Sequence, residues 1–341
     1  MGRKVWFYVE SDADAANLAA ASAAAQVWQV LTGAQVEPQA LMHTDTAPMD
    51  VTLHQGQERE WRLEQIDKAV YESWQAARVT EAKAMSKGRK GAGAVIDAVA
   101  SASESSASAD LDVPLVVFAA DGASLALPHM GKMKPLHLDF ELLSYRQRLL
   151  RGGRSKEPVA RAVMQGLQPR QGERLAVFDA TAGLGRESMI LAHAGAQVYA
   201  FERQLPIWMI LCDALNRAAR SRFFPFPLPQ LQPLGTIKDY ATYGLTAPDV
   251  IYYDPMFPER DSSAQVKKEM VLFKQLIGAD QDSLDFLATA VGIATQRVVV
   301  KRPHDAEPLA LLEQGIERSH FIDGGMCRFD CYLGHGANGT A

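Results

Sequence analysis

The stretch LAVFDATAGLGRES (residues 175–188) decides the fold of this 341-residue chain. Its apolar run ends at Asp179, two glycines follow at Gly183 and Gly185, and a helical pattern begins near Arg186. Glycines let the backbone turn tightly beside a ligand, and a helix amino terminus offers free N–H groups and the positive end of its dipole. The stretch predicts a strand, a turn and a helix. A Gly-x-Gly turn alone is equally compatible with a sharp turn that binds nothing.

The residues around this stretch alternate between strand and helix patterns from about Glu157 onward. Apolar runs typical of buried parallel strands cover residues 175–178, 197–201, 250–253 and 297–300. Helical patterns cover residues 157–167, 186–194, 206–219 and 283–295. This alternation predicts an α/β fold with a mostly parallel sheet and helices on both faces, in which ligands bind beyond the carboxyl ends of the strands.

An acidic residue, Glu202, ends the second predicted strand, 19 residues after Gly183. At about 20 residues, this offset is typical of a carboxylate that binds ribose hydroxyls. S-adenosylmethionine and nicotinamide dinucleotides both carry such a ribose. Because Ser188 stands where the dinucleotide motif G-x-G-x-x-G needs its third glycine, the pattern favours S-adenosylmethionine as the cofactor.

The third predicted strand ends in VIYYDPMFPER (residues 250–260). Its Asp254, Pro255 and Phe257 resemble the Asp/Asn-Pro-Pro-Tyr/Phe loop of enzymes that methylate ring-conjugated amines. Such an amine is a poor nucleophile until acceptors bind its N–H groups. The Asp254 carboxylate and the Pro255 carbonyl suit that task, and Phe257 suits stacking on a base. The alternative is a rigid proline turn, with Asp254 as a turn former.

Six segments in chain order resemble the ribosomal RNA small subunit methyltransferase J family: DATAGLGRE (179–187), ER (202–203), DPMFP (254–258), SAQVKKEM (263–270), RVVVKRP (297–303) and RFDCYL (328–333). That family methylates the exocyclic N2 amine of a guanine in 16S ribosomal RNA with S-adenosylmethionine. The resemblance covers Leu136 to Leu333 and implies a Rossmann-like class I methyltransferase fold.

The resemblance also implies which residues contact the cofactor: Arg186, Glu187, Glu202, Arg203 and Asp254, beside Asp179, Gly183 and Gly185 of the first motif. A further cofactor pair falls at Lys238 and Asp239, where this chain departs from the small hydroxylated residues of the family. Asp239 is expected to accept a hydrogen bond from the adenine amine.

Basic residues accompany these motifs and suggest contacts to RNA phosphates. The expected contacts are Arg146, Arg148, Arg151, Arg154, Lys267, Lys268, Lys301 and Arg302. For the basic run from Tyr145 to Lys156, the alternative is a solvated basic face. For Lys301, the alternative is an ion pair with Asp254 or Glu269.

The amino-terminal region does not show this regular alternation of strand and helix patterns. We expect residues 1–135 to form a smaller α+β domain and residues 136–341 to form the methyltransferase domain. Expected elements are a strand at 5–9, an amphipathic helix at 58–85 and a hairpin centred on 120–123, and residues 15–31 form an Ala-rich stretch. Residues 87–112 are rich in Gly, Ala and Ser, which indicates a linker. The stretch from about His43 to Asp112 has the character of an insertion.

Composition excludes several classes of protein. With 48% hydrophobic and 22% charged residues, wholesale disorder is excluded. Three cysteines and the absence of a zinc or HExxH motif argue against a disulfide framework and against a metal, and indicate the cytoplasm. No apolar run approaches the ~20 residues of a membrane span.

The net charge of −5 divides unevenly along the chain. Residues 1–130 hold 10 basic and 17 acidic side chains, whereas residues 131–341 hold 25 and 23. We therefore expect the amino-terminal region to face away from RNA. The function alternatives are a related amino-methyltransferase for another base or nucleic acid, a nucleotide-binding oxidoreductase, and a non-catalytic RNA-binding protein.

Overall fold

The computed structural model describes residues 3–10, 15–32, 50–55, 59–66, 68–72, 74–76, 113–127, 134–152, 156–255 and 283–335. The predicted linker and the candidate residues Phe257, Arg154, Lys267 and Lys268 lie outside the described residues. The chain divides into two compact units. The first contains residues 1–138 and Leu205–Ala214, and the second contains Asp139–Gln204 and the described residues from Leu215 onward.

The first unit contains a six-stranded sheet and one long helix. Its elements are β1 (Arg3–Val9), α1 (Ala15–Thr32), β2 (Asp50–Gln55), β3 (Arg59–Gln65), β4 (Leu115–Ala119), β5 (Gly122–Ala126) and β6 (Leu136–His137). The strand order is β2-β3-β1-β4-β5-β6, with β1 parallel to β3 and β4 and the other pairs antiparallel. The predicted first strand and hairpin are confirmed, and the Ala-rich stretch forms α1.

The predicted amphipathic helix at residues 58–85 is wrong in its first part. Residues 59–65 form β3, which pairs with both β1 and β2, and helical backbone begins only at Lys68. Buried Leu63 lies between exposed Arg62 and half-buried Glu64, which is the period-two pattern of a strand. Pairing with the adjacent strand β2 and with the distant strand β1 outweighs the local helical spacing of the apolar residues. Residues 77–85 lie outside the described ranges.

The second unit contains a seven-stranded sheet. Its helices are α2 (Leu143–Arg151), α3 (Pro158–Met164), α4 (Arg186–His193), α5 (Leu205–Arg220, whose first ten residues belong to the first unit) and α6 (Ser283–Ile293). Its strands are β7 (Ala176–Asp179), β8 (Gln197–Ala200), β9 (Gln230–Leu231), β10 (Val250–Tyr253), β11 (Arg297–Arg302), β12 (His320–Asp323) and β13 (Arg328–Leu333).

The strand order β12-β13-β11-β10-β7-β8-β9 confirms the predicted mostly parallel sheet. Only β13 runs antiparallel to its neighbours β11 and β12. On one face, α6 packs against a core that includes Phe178, Ile251 and Val298, and α3 packs on strands β10 to β13. The chain leaves β7 toward β8 on one side and returns to β10 on the other, so the two strand ends beside this reversal form the expected ligand-binding crevice.

The described helices include none that is both long enough and apolar enough to cross a membrane.

Candidate cofactor and catalytic site

The turn after β7 follows the backbone path that its glycines predict. Gly183 and Gly185 have φ angles of 53° and 67°, in the left-handed region that favours glycine. Gly185 is the residue before α4, and no side chain caps this helix. The first N–H groups of α4 therefore remain available to a polar ligand group at the crevice.

The carboxyl group of Asp179 is buried beneath this turn, with a relative exposure of 1%. Its Oδ2 accepts a hydrogen bond of 2.5 Å from the Ser188 hydroxyl, and its Oδ1 accepts one of 3.2 Å from the Thr181 N–H. Burial raises the pKa of this carboxyl to about 7, although both hydrogen bonds favour the ionised form. Asp179 is thus a proton-sensitive group at the tip of β7.

Glu202, at the end of β8, connects the two cofactor motifs directly. Its Oε2 accepts a hydrogen bond of 2.9 Å from the Gly183 N–H, and its Oε1 accepts one of 2.7 Å from the Gln204 N–H. Burial raises the pKa of Glu202, and these backbone donors oppose the shift. Each carboxylate oxygen retains a lone pair, so Glu202 can hold the turn and still accept from ribose hydroxyls.

Asp254 follows β10 and is held from two sides. Its backbone N–H donates to the Thr181 hydroxyl at 2.8 Å, and its Oδ2 accepts from the Lys301 ammonium at 2.7 Å. The Lys301 Nζ also lies 3.9 Å from Oε1 of Glu187, the second residue of α4. The structure thus brings together the predicted residues Asp254, Glu187 and Lys301, and it contains the ion-pair alternative for Lys301.

The pair Lys238 and Asp239 lies in a short 3₁₀ helix, Ile237–Asp239. Asp239 Oδ2 accepts from the Thr236 N–H at 3.2 Å, and Thr236 in turn accepts from the Lys238 N–H, which forms a capping box. Lys238 is exposed. The Asp239 carboxylate therefore has a structural task in its own turn, in addition to the predicted contact with an adenine amine.

The basic residues of α2 differ in their surroundings. The Arg146 guanidinium lies 3.7 Å from the centre of the Phe223 ring, and Arg148 forms two hydrogen bonds with the carboxylate of Glu157. Arg151 is exposed. The hydroxyl of Tyr145 donates to the Arg186 carbonyl at 2.9 Å, so α2 lies beside the start of α4, near the cofactor turn.

Arg302, which was predicted to contact RNA, is largely buried. Its side chain is 9% exposed and donates to the Glu307 carbonyl at 2.6 Å. Arg328 donates to the carbonyls of His304 and Ala306 and to the buried carboxylate of Asp330. Arg302 and Arg328 thus hold the loop after β11 through its carbonyl groups. Side chains alternate between the two faces along β11, and this alternation turns Arg302 toward the interior.

The sequence motifs did not single out two residues of the site, Thr181 and Ser188. The Thr181 N–H and the Ser188 hydroxyl both donate to the Asp179 carboxylate. Both lie inside the quoted stretch, but Ser188 was noted only as a missing glycine. Ser188 is the third residue of α4, and its hydroxyl donates to the Asp179 carboxyl. A hydroxyl at this position is the feature of the sequence that could have predicted this hydrogen bond. Within the described ranges, no group of three or more His, Cys, Asp and Glu side chains has the arrangement of a metal site.

Comparison with known proteins finds similarity to methyltransferases. A family model described as "Putative SAM-dependent methyltransferase" matches residues 103–334. A ribosomal RNA small subunit methyltransferase J of Thioalkalivibrio sulfidiphilus is 44% identical over 226 residues, covering 64% of this chain and 85% of the relative. One of Pseudoalteromonas atlantica is 43% identical over 220 residues, covering 62% and 82%. A solved SAM-dependent methyltransferase of Neisseria gonorrhoeae superimposes with a TM-score of 0.49 at 30% identity, covering 67% of this chain and 86% of that one.

Proposed function

The chain belongs to the ribosomal RNA small subunit methyltransferase J family of SAM-dependent methyltransferases, and from this membership we infer its reaction. We propose that it transfers a methyl group from S-adenosylmethionine to the exocyclic N2 amine of a guanine in 16S ribosomal RNA. The observation that carries the proposal is the position of Asp254, which is tied through Thr181 to the turn that follows β7. We propose that this hydrogen bond keeps an acceptor for the amine next to the expected cofactor crevice.

The residues of this crevice fit S-adenosylmethionine. The uncapped start of α4 and the two left-handed glycines suit the close approach of its polar end, and the Glu202 carboxylate suits its ribose. We propose that Asp179, Arg186, Glu187 and Arg203 complete this site, with Lys238 and Asp239 at the adenine. When bound, the cofactor supplies a methyl group activated by a sulfonium.

Asp254 and Pro255 act on the amine in this proposal. The lone pair of a guanine N2 amine is delocalised into the ring, which weakens it as a nucleophile. A carboxylate oxygen and a backbone carbonyl that accept the two N–H bonds favour localisation of that lone pair on nitrogen. Phe257 is proposed to stack on the base, and the prolines keep the loop stiff. The task is mainly one of alignment, so a strong base is not required.

We propose that RNA reaches this site along α2. The helix carries Arg146, Arg148 and Arg151 and contacts the start of α4 through Tyr145. Arg154, Lys267 and Lys268 are proposed to extend this basic surface. The catalytic domain is proposed to span residues 136–341, and the proposed place of action is the cytoplasm, where ribosomal RNA is assembled.

The test is mass spectrometry of 16S ribosomal RNA digests from cells with and without the gene. Loss of one N2-methylguanosine, restored by the wild-type gene and not by an Asp254→Ala variant, is the expected result. In vitro, labelled methyl groups should pass from S-adenosylmethionine to 16S RNA or to the small subunit.

Three outcomes would overturn the proposal. Loss of a different methylated base would indicate a related amino-methyltransferase. Binding of NADH without binding of S-adenosylmethionine would indicate an oxidoreductase. Sedimentation with ribosomes without methyl transfer would indicate a non-catalytic RNA-binding protein.

A further inference from the structure

Lys301 in β11 lies beside Asp254, the residue that directly follows the neighbouring strand β10. Tyr253 of β10 is paired in register with Val300 of β11, so the next residue of each strand lies side by side. Tyr253 and Val300 both pack into the core below the sheet, and alternation sends Asp254 and Lys301 to the opposite face. The backbone register therefore imposes this ion pair, whose Nζ to Oδ2 distance is 2.7 Å.

The ammonium of Lys301 is committed to carboxylates. It contacts Asp254 and lies 3.9 Å from Glu187, and its side chain is only 28% exposed. Burial lowers the pKa of Lys301, but the two carboxylates raise it by more, so the ammonium stays charged. A phosphate would have to displace a 2.7 Å ion pair to bind here, which disfavours a direct RNA contact.

The ion pair leaves one oxygen of Asp254 available. Lys301 uses Oδ2, and among the described residues no group donates a hydrogen bond to Oδ1. The Asp254 side chain is 32% exposed, so this carboxylate is not closed off from solvent. An aspartate held by one oxygen has its rotamer restricted, which defines where the second oxygen can accept a hydrogen bond.

We propose that Lys301 is a positioning residue for methyl transfer: it holds Oδ2 of Asp254 so that Oδ1 accepts a hydrogen bond from the target amine. This inference rests on the proposed function. It assigns Lys301 a role in turnover in place of the RNA contact that its charge suggested.

The same contact affects the ionisation of Asp254. Burial raises the pKa of this carboxyl, and the Lys301 ammonium opposes the shift. Among the described residues, the other titratable groups that interact with Asp254 are Glu187 on α4, Asp179 on β7, Tyr252 on β10 and Cys327 before β13. None of these four groups is a cation, so within this part of the chain Lys301 supplies the positive charge beside Asp254. Without it, the pKa of Asp254 rises, a smaller fraction is ionised at a given pH, and activity should be lost at a higher pH than in the wild type.

The test compares steady-state kinetics of Lys301→Gln, Lys301→Arg and the wild type with 16S RNA. For Lys301→Gln we expect kcat to fall about 100-fold, the effect of a small misplacement of a reacting group. The acid limb of kcat should move up by about one pH unit or more. KM for RNA should stay within about threefold, and Lys301→Arg should recover part of kcat because it restores the charge.

Two control variants separate positioning from RNA contact. Arg151→Gln removes an exposed charge from α2 and should raise KM for RNA with little change in kcat. Arg174→Gln removes an exposed charge before β7, at the opposite edge of the sheet, and should change neither parameter. Thermal unfolding and calorimetry with S-adenosylmethionine establish that each variant is folded.

A double variant makes the inference falsifiable. In the Asp254→Asn background, Lys301→Gln should cost less than about threefold in kcat, since its effect passes through Asp254. Multiplicative losses, or a Lys301→Gln variant that changes only KM for RNA, would overturn the inference. A wild-type protein that binds RNA and transfers no methyl group would instead overturn the proposed function.

Discussion

At the scale of single residues, the Asp179 carboxyl has a pKa far above that of an exposed aspartate. Burial raises its pKa to about 7, whereas in the unfolded chain it is about 4. Because the folded-state pKa is the higher one, the protonated acid stabilises the fold at low pH. This contribution is lost as the pH rises from about 4 through about 7.

We therefore predict opposite effects of Asp179→Asn on stability and on binding. An amide can accept from Thr181 N–H and donate to Ser188, and it carries no charge. Thermal unfolding of the variant should occur at a higher temperature than that of the wild type at pH 8, and the difference should shrink toward pH 5. Affinity for S-adenosylmethionine, measured by calorimetry at pH 8, should fall at least about tenfold, since a charge-assisted contact of about 1.5 kcal/mol or more is lost.

The control for this prediction is Glu173→Gln, which neutralises an exposed carboxylate just before β7. It should change neither the unfolding profile nor the affinity. An Asp179→Asn profile parallel to that of the wild type from pH 5 to pH 8 would mean that the Asp179 carboxyl is ionised throughout this range.

Contacts between residues close in the chain were easier to predict than contacts between residues far apart in it. The offset between Gly183 and Glu202 predicted a shared site, and the structure joins them by a hydrogen bond. The partner of Lys301 lies 47 residues away, and charge alone favoured RNA as that partner. Local patterns report which groups are present at a strand end, while strand register decides which of them touch.

At the scale of elements, the junction of the β7 turn with α4 depends on a left-handed residue. Gly185 precedes the helix with φ 67°, and an alanine there is strained by about 1–2 kcal/mol. We predict that Gly185→Ala lowers the free energy of unfolding by about this amount in urea titrations. It should also weaken S-adenosylmethionine binding, because relief of the strain moves the first N–H groups of α4.

Gly172 offers a matched control for this strain. Its φ is 71°, and no atom lies within 4 Å of the position of an added Cβ. Gly172→Ala should therefore carry a similar stability cost without any change in cofactor affinity. Equal losses of affinity in both variants would show that the binding defect follows from global destabilisation.

The loop after β11 depends on a buried ion pair. Asp330 is 0% exposed, and Arg328 holds its carboxylate together with two loop carbonyls. We predict that Arg328→Met lowers the unfolding free energy by about 3–5 kcal/mol, because it leaves a buried charge with fewer partners. Chemical denaturation measures this loss.

Arg318 provides the comparison, since it contacts the same Asp330 oxygen with a side chain that is 27% exposed. Arg318→Met should cost much less than Arg328→Met, and a double variant Arg328→Met/Asp330→Leu should recover part of the stability. Equal costs for the two arginines would contradict the role of Arg328 as the main partner of Asp330.

Elements formed by local periodicity matched the prediction within a few residues, and elements defined by long-range pairing did not. Strand β10 was predicted with its observed bounds. Strand β3 was taken for a helix, because its apolar spacing fits both structures until β1 and β2 are known to flank it. The position of β13 between β11 and β12 could not be predicted from local sequence either, because it depends on the order of strands in the sheet.

At the scale of the whole molecule, charge is distributed in favour of a salt-sensitive contact with RNA. The chain is acidic overall, yet residues 131–161 hold eight basic and three acidic side chains. We predict that affinity for 16S RNA falls as salt rises, and that Arg151→Gln lowers the slope of log affinity against log salt by about 0.7, the value for one phosphate on single-stranded nucleic acid.

Arg148→Gln should lower this slope less than Arg151→Gln does. Its guanidinium already pairs with Glu157, so phosphate binding would first have to break that pair. Filter binding between about 50 and 200 mM salt measures both slopes. Identical slopes for the wild type and both variants would exclude α2 from the RNA interface.

The hydrogen bond from the Asp254 N–H to the Thr181 hydroxyl has a consequence for how two ligands bind together. It joins the turn that we propose binds the cofactor to the residue that we propose binds the amine, so a ligand that orders the turn also orders the acceptor. Binding at the two places is then thermodynamically linked, each ligand raising the affinity for the other by the same factor. The protein should therefore bind RNA more tightly when S-adenosylmethionine is bound, and S-adenosylmethionine more tightly when RNA is bound.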